Sequence, residues 1–235
     1  MNDSKRGQVN HSAAEVYEAF FVPALFQTWA NPVANATGVT NGQRALDVGC
    51  GTGVAARALA ARVGASGKVS GLDVNKGMLA VARRMAPSVD WRQGAAENLP
   101  FEDSSFDAVV SQFALMFFED KPAALAEMIR VLVPGGRMVV AVWDALENTP
   151  GYAAMVALLQ RLFSDAPADA LRAPYSLGLP EAIEALFEQA GIWAVVIRTR
   201  PGTGRFPSLA SWVHTAIKGW TLADMIDDEQ MQRLL

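Results

Sequence analysis

An acidic residue and a glycine-rich turn follow one short apolar run in the first quarter of the chain. The run Leu46-Asp47-Val48 leads into Gly49, Gly51 and Gly53, which stand at alternate positions. Such glycines allow a ligand to reach the backbone, because no Cβ stands in the way. A helix that begins directly after the turn would add unpaired N–H groups and the positive end of its dipole. The segment therefore predicts a ligand site at the end of a strand.

The glycine spacing by itself leaves two classes of ligand open. The turn leads into alanines, and a dinucleotide fingerprint tolerates alanine in place of its last glycine, so a nicotinamide cofactor remains an alternative. Asp47, however, is unfavourable beside a pyrophosphate and suits a ligand with a positive ammonium group. This charge argument favours S-adenosylmethionine (AdoMet) over NAD. Asp73, at the end of the next apolar run, could accept hydrogen bonds from both hydroxyls of a ribose or could act only as a helix cap.

The elements around these residues alternate between β-rich and helical patterns. Strands are predicted at 44–48, 68–72, 89–92, 106–111, 137–143 and 193–199, and helices at 54–63, 76–85, 122–132 and 180–189. Asn75 is predicted to cap the second helix, and residues 133–136 to form a tight turn into the fifth strand. This order predicts a Rossmann-like α/β fold: a doubly wound, mostly parallel sheet with helices on both faces.

Three further regions complete the expected organisation. Residues 12–29 predict one or two amphipathic helices. Residues 144–179, with a helical run at 152–163 and then a loop, predict a cap above the carboxyl ends of the strands. Helices are expected at 207–219 and 227–235, with no seventh strand, so the sheet edge would need cover from a helix or a partner subunit and a homodimer stays open. We interpret 1–235 as one domain, with a cofactor-binding core at 30–145 and a cap at 146–179.

Four motifs in this order resemble a known family. The stretches LDVGCGTG, VSGLDVNKGML, GAAENLPFEDSSFDAVVSQFALMFF and RVLVPGGRMVVAVW closely resemble class I AdoMet-dependent methyltransferases. The subgroup that looks nearest contains the small-molecule enzymes of ubiquinone and menaquinone biosynthesis. The resemblance covers roughly residues 15–200. It implies AdoMet as the cofactor, S-adenosylhomocysteine (AdoHcy) as its product, and a small-molecule acceptor.

The resemblance also assigns roles to individual residues. Asp47 and the backbone of Gly49 would hold the cofactor's amino group, and Asp73 the ribose. Val74 and Met78 would flank the adenine, and Gln112 would lie beside the methionine moiety. The residues that it places at the cofactor are Asp47, Gly49, Cys50, Gly51, Gly53, Asp73, Val74, Met78, Ala95, Ala96, Glu97 and Gln112. Ala95 departs from the family, which often has an acid there, so adenine recognition must use backbone groups, water or Glu97.

Composition excludes several other classes of protein. The 235 residues carry a formal net charge of −4, and Lys and Arg are scattered, which argues against a nucleic-acid partner. A single cysteine, Cys50, excludes an intrachain disulfide, and two histidines exclude a multi-histidine metal site. The first fifteen residues lack a signal peptide's apolar stretch, and no run is long enough to cross a bilayer. We therefore expect a cytoplasmic protein without a metal.

The acceptor and the catalytic groups are less determined. Aromatic residues in the segments expected beside the pocket favour a small, partly apolar acceptor, and Phe113 and Met116 could face it. No catalytic base is assigned; Tyr17, His11 and His214 are candidates only as polar groups in flanking segments. A cofactor-binding protein without catalysis and an NAD-dependent oxidoreductase are the alternatives, although no Tyr-x-x-x-Lys supports the latter. The atom that is methylated stays open.

Overall fold

Five parallel strands form the centre of the protein. The computed structural model describes residues 11–218, 222 and 225–235, apart from the side chains of residues 11 and 12. The strands are β1 (Arg44–Val48), β2 (Lys68–Asp73), β3 (Asp90–Gln93), β4 (Phe106–Gln112) and β5 (Leu132–Ala141), in the spatial order β3-β2-β1-β4-β5. The chain therefore winds outward in both directions from β1 and β4, which confirms the predicted doubly wound α/β class.

Helices cover both faces of this sheet. They are α1 (His11–Val16), α2 (Gln27–Thr37), α3 (Val54–Val63), α4 (Lys76–Met85), α5 (Lys121–Arg130), α6 (Pro150–Leu162), α7 (Asp165–Arg172), α8 (Pro180–Gln189), α9 (Leu209–Lys218) and α10 (Asp228–Leu234). Along β4 the side chains alternate between two clusters. Ala108 and Val110 face the α3 side, whereas Val109 faces the α5 and α8 side, as the two-residue period of a strand requires.

Local capping explains where two of the helices begin. The N–H of Met78 donates to the Asn75 side chain (3.0 Å) at the start of α4, so the predicted cap is confirmed. The N–H of Ala123 donates to Asp120 in the same way (3.0 Å) at the start of α5. Helices α3, α4 and α8 have the predicted bounds.

The N-terminal segment is one continuous helical stretch that changes its winding. Between α1 and α2, residues Tyr17–Phe26 form a π-helix that contains Pro23. Proline lacks an N–H and its ring collides with the preceding turn of an α-helix, and the wider π winding gives the ring more room. The N–H of Gln27 accordingly bonds the carbonyl of Val22, five residues earlier. We predicted one or two helices here but not this winding.

The predicted sixth strand is wrong. Residues 193–199 run without regular structure, and in the described ranges β5 pairs with β4 alone. Trp193 and Val196 are 78% and 79% exposed, so the β-rich composition of this run buries little apolar surface. A strand needs a ladder partner as well as β-branched residues, and the described residues place no partner strand beside this run. The described part of the chain also holds no seventh strand, in line with the prediction.

The segment after β5 is more helical than predicted. Helix α6 corresponds to the expected helical run, but α7 forms where we predicted a loop. Pro167 lies in the first turn of α7, where its missing N–H removes no helical hydrogen bond. The predicted turn at residues 133–136 is wrong, because these residues lie within β5 as a bulge: Phe106 pairs with Leu132 and Ala108 with Arg137, and Gly135 has a φ of +80°.

The indole of Trp91 packs against two glycines, Gly71 in β2 and Gly53 in the turn that follows β1. A Cβ on Gly71 would lie 2.3 Å from Cζ3 of Trp91, and a Cβ on Gly53 would lie 2.3 Å from its Cη2. The ring is fixed in place, because its Nε1–H donates to the carbonyl of Ala86 (2.9 Å). Both glycines are therefore required by packing against this ring.

We predict that Gly71→Ala lowers the free energy of unfolding by about 2 kcal/mol, because the added methyl group overlaps a buried ring that cannot move aside. Chemical denaturation measures this change. Gly151→Ala is the matched control, since a Cβ there meets Trp212 at an ordinary 3.5 Å. An unchanged stability in Gly71→Ala would show that Trp91 yields.

Candidate functional site

A cleft opens at the carboxyl ends of β1 and β4. These strands are neighbours from which the chain winds in opposite directions, which is where open α/β sheets bind ligands. The cleft encloses about 350 Å³, including space open to solvent. Its lining residues are Tyr17, Phe26, Asp47, Gly49, Cys50, Gly51, Thr52, Val54, Ala55, Gln112 and Phe113. The fold thus brings several of the predicted cofactor residues together.

Asp47 places a half-satisfied carboxylate in this cleft. Its side chain is 1% exposed, and the N–H of Ala56, in the first turn of α3, donates to Oδ2 (2.9 Å). Oδ1 is buried and has no hydrogen-bond partner among the described residues. Burial raises the pKa of Asp47 to about 7, although the bond from Ala56 and the charge of Arg57 oppose the shift. A cation that reached Oδ1 would relieve this burial cost.

The three glycines of the turn serve different purposes. All have positive φ: 70° at Gly49, 54° at Gly51 and 88° at Gly53. A Cβ on Gly49 would lie 2.4 Å from the Cβ of Ala114, and one on Gly53 would meet Trp91, so packing requires both glycines. A Cβ on Gly51 would meet nothing within 4 Å. Gly51 therefore leaves free space on the side of the cleft.

Asp73 holds the turn from the neighbouring strand. The N–H of Gly51 donates to Oδ2 of Asp73 (2.8 Å), and the N–H of Asn75 donates to Oδ1 (2.8 Å). Burial raises the pKa of Asp73, and these backbone bonds oppose the rise. Each carboxylate oxygen keeps a second lone pair, so the group can still accept from ribose hydroxyls. Asp73 thus has a structural role in addition to its predicted binding role.

Two more polar atoms in the cleft have no partner among the described residues. Nε2 of Gln112 donates to the carbonyl of Phe26 (3.2 Å). This bond orients the amide so that Oε1 is buried without a hydrogen-bond partner. The Oγ1 of Thr52 is also buried and unpaired. We did not predict Thr52 as a site residue, although its place between two turn glycines was a usable signal. Unpaired buried acceptors of this kind fit the amino group of an amino-acid-like ligand.

Aromatic rings form one wall of the cleft. The rings of Tyr17 and Phe26 stack with centroids 5.0 Å apart, and Phe113 stacks on Trp143 at 3.9 Å with 14° between the planes. Phe113 has a φ of +56°, which is rare for a bulky residue. Its N–H donates to the carbonyl of Ala141 (2.8 Å), so a backbone bond and the stack together maintain this conformation.

Other predicted residues lie beside the cleft or apart from it. Val74 is exposed after β2, and Met78 is buried on α4 against Ala13 and Ala14. Ala95 is exposed and Ala96 is buried in the turn after β3. Met116 is buried in the core on the α5 side, whereas Phe113 lines the cleft.

The side chain of Glu97, predicted as an adenine contact, is engaged elsewhere. Its Oε1 accepts from the N–H groups of Glu119 (2.8 Å) and Asp120 (3.3 Å).

The candidate bases and Cys50 differ in their surroundings. Tyr17 lines the cleft, and burial raises its pKa above the ordinary value, with the charge of Asp73 as the next cause. His214 is exposed on α9, and the side chain of His11 lies outside the described residues. Burial raises the pKa of the Cys50 thiol, which therefore stays protonated. No group of three or more His, Cys, Asp or Glu side chains arranged for a metal ion occurs in the described ranges.

Comparison with known proteins identifies the family. A profile described as a methyltransferase domain matches residues 46–140. A demethylmenaquinone methyltransferase of Staphylococcus aureus is 35% identical over 192 residues, which cover 76% of this chain and 78% of that protein. One of Renibacterium salmoninarum is 45% identical over 113 residues, 48% of this chain and 46% of that protein.

A solved structure shows the same fold. A Methanococcus maripaludis protein assigned to the AdoMet-dependent methyltransferases superposes with a TM-score of 0.56 at 24% identity, over 77% of this chain and 82% of that one. The chain belongs to the class I AdoMet-dependent methyltransferases. It is an enzyme of this class that acts on a small molecule and resembles the methyltransferases of menaquinone biosynthesis.

Among the described residues, no helix has both the length and the apolar character that crossing a membrane requires.

We predict that Gly51→Ala weakens AdoHcy binding at least tenfold, because the new methyl group fills the free space in the cleft. Gly135→Ala supplies the control, since its φ of +80° imposes similar strain and its Cβ would also meet nothing within 4 Å. Both variants should lose about 1 kcal/mol of stability. Calorimetric titration and denaturation measure the two effects, and equal AdoHcy affinity in the two variants would contradict the prediction.

We also predict that AdoHcy affinity rises about tenfold or more between pH 5.5 and 7.5. A pKa of about 7 leaves Asp47 mainly protonated at the acid end, where it cannot pair with an ammonium group, and ionised at the other. Because Asp73 also has a raised pKa, the informative comparison is with Asp47→Asn, which should bind weakly and show a much flatter pH profile. The same steep profile in wild type and variant would assign the titration to another group.

Proposed function

We propose that AdoMet binds in the cleft with its ammonium group on Asp47 and its ribose hydroxyls on Asp73. The observation that carries this proposal is the buried, unpaired Oδ1 of Asp47 beside an open glycine turn. Gln112 Oε1 and Thr52 Oγ1 offer two further positions for the amino-acid end of the cofactor. We also propose that Val74 and Met78, which follow β2, border the adenine and that the turn of Ala95 and Ala96 reaches its edge.

We propose that the acceptor is a small, partly apolar molecule, with demethylmenaquinone as the first compound to test. The relatives from Staphylococcus aureus and Renibacterium salmoninarum carry this substrate in their names. The aromatic wall of Tyr17, Phe26 and Phe113 gives such a molecule an apolar surface next to the cofactor residues. We also propose that residues 146–179, which follow β5, cover the acceptor.

AdoMet supplies an electrophilic methyl group that an in-line nucleophile attacks. The protein's contribution is to hold the two reactants in line and to keep water away. Tyr17 keeps its proton at neutral pH because its pKa is raised, so it serves as a hydrogen-bond donor or an apolar wall and not as a base. An acceptor that needs no strong base on the protein fits this arrangement best.

We predict that the wild-type protein binds AdoHcy saturably in a calorimetric titration and that NAD does not compete. Asp73→Ala should weaken AdoHcy binding tenfold or more, since it removes both the ribose acceptors and the support of Gly51. Asp73→Asn keeps one acceptor oxygen and should lie in between. Asp90→Ala is the control, because Asp90 pairs with Arg92 on the surface.

The acceptor is tested with labelled AdoMet and a short-chain demethylmenaquinone analogue in its reduced form. Transfer of label to the quinone would support the proposed acceptor. AdoHcy binding without transfer to this compound would retain the cofactor site and exclude the acceptor. No saturable AdoHcy binding at millimolar concentration would contradict the cofactor site.

A further inference from the structure

An ion pair connects the N-terminal helical stretch to the helix that follows the glycine turn. Nη2 of Arg57, on α3, donates to Oε1 of Glu18 in the π-helix at 2.8 Å. The side chains are 22% and 13% exposed, respectively, so the pair is well shielded from water. Glu18 directly follows Tyr17, whose ring lines the cleft. The pair therefore ties the segment that carries Tyr17 to the far side of the cofactor site.

The same guanidinium also contacts the glycine turn itself. Nη1 of Arg57 donates to the carbonyl of Thr52 at 2.7 Å, and Thr52 lines the cleft. One planar group thus bonds both the covering segment and the turn below it, which an arginine fork can do and a single ammonium cannot do as well. Oε2 of Glu18 is buried without a hydrogen-bond partner among the described residues, and the ion pair of this carboxylate is with Arg57.

We propose that Arg57 is a positioning residue for the cofactor: paired with Glu18, it holds Tyr17 and the π-helix over the cleft. This inference rests on the cofactor site proposed above. Because the cleft lies between the π-helix and the glycine turn, a cofactor held there is enclosed by the segment that Arg57 fastens. The ion pair then governs how tightly the cofactor is retained.

Electrostatics at the cleft support this role. Asp47 and Asp73 are buried acids near Tyr17, and Glu18 adds a third carboxylate. Arg57 lowers the pKa of Asp47 against the larger effect of burial, which favours the ionised form that an ammonium group needs. Breaking the pair would leave a shielded carboxylate unpaired, and such a group tends to move toward water. The π-helix would then separate from α3 at the point nearest the cofactor.

A second arginine on the same helix provides a matched control. Nε of Arg62 donates to Oδ1 of Asn35 at 3.0 Å, and Nη1 donates to Oδ1 of Asn31 at 3.3 Å, so Arg62 also ties α3 to the N-terminal stretch. These bonds reach α2, and Arg62 is not among the cleft-lining residues. A merely structural role for Arg57 would make the two arginines equivalent.

The test measures AdoHcy binding and steady-state kinetics for four variants of the full chain. Arg57→Gln should raise the dissociation constant of AdoHcy about tenfold and speed its release, with KM for AdoMet rising in parallel. Glu18→Gln, which leaves α3 and the turn intact, should do the same. Arg57→Lys should recover part of the affinity, and Arg62→Gln should bind AdoHcy as the wild type does. Thermal unfolding, measured in parallel, separates folding losses from binding losses.

Each result decides the matter. If the wild type binds AdoHcy and both Arg57→Gln and Glu18→Gln bind it with an affinity within twofold of the wild type, the inference is overturned. The proposed function would not be affected by that result. An equal loss in Arg62→Gln would also overturn it, because the effect would then be general to α3. A wild-type protein that binds no AdoHcy would overturn the proposed cofactor site, and the inference with it. If Arg57→Gln fails to fold, Glu18→Gln and Arg57→Lys carry the same comparison.

Discussion

The glycine turn after β1 is held in shape by a carboxylate from the neighbouring strand. The bond from the N–H of Gly51 to Asp73 exists because β1 and β2 are adjacent and parallel, so their ends lie side by side. This bond fixes the direction in which the chain enters α3. The N–H of Ala56, in the first turn of α3, then donates to Asp47. Trp91, on β3, packs against the turn and fills the space that the absent side chains of Gly53 and Gly71 leave. Three neighbouring strands therefore cooperate to present one open position at Gly51.

This arrangement buries the side chains of Asp47 and Asp73, and burial disfavours the ionised form of a carboxyl group. The unfolded chain would ionise Asp47 near pH 4, whereas the fold raises its pKa to about 7. A raised carboxylate pKa means that the folded state binds protons more readily than the unfolded one, so this group's contribution to stability is lost as pH rises from 4 through 7. Near neutral pH the ligand-free enzyme carries a destabilising charge at its centre. A cationic ligand offsets that charge, which links occupancy of the site to stability.

The sequence predicted those elements whose signals are local. Helices α3, α4 and α8 have apolar periodicity and clear end signals, and the strand–turn–helix at residues 46–54 has a strict glycine spacing. The prediction of a sixth strand failed because a run such as 193–199 shows β-propensity but does not show whether a partner strand lies beside it. Phe113 entered the site through a backbone conformation that its residue type disfavours. The pair of Glu18 and Arg57 is 39 positions apart and depends on how the π-helix docks, which no local pattern encodes.

The stacked rings of Phe113 and Trp143 have an evolutionary consequence. They follow two different strands, β4 and β5, and each supports the other at the cleft. A smaller residue at either position would leave a void beside the remaining ring and would remove part of what stabilises the left-handed backbone at Phe113. A lineage that changed its substrate by remodelling this wall would need to replace both residues in step. Homologous enzymes should therefore show paired substitution at these two positions, and a single substitution should mark a transient intermediate in the divergence of substrate range.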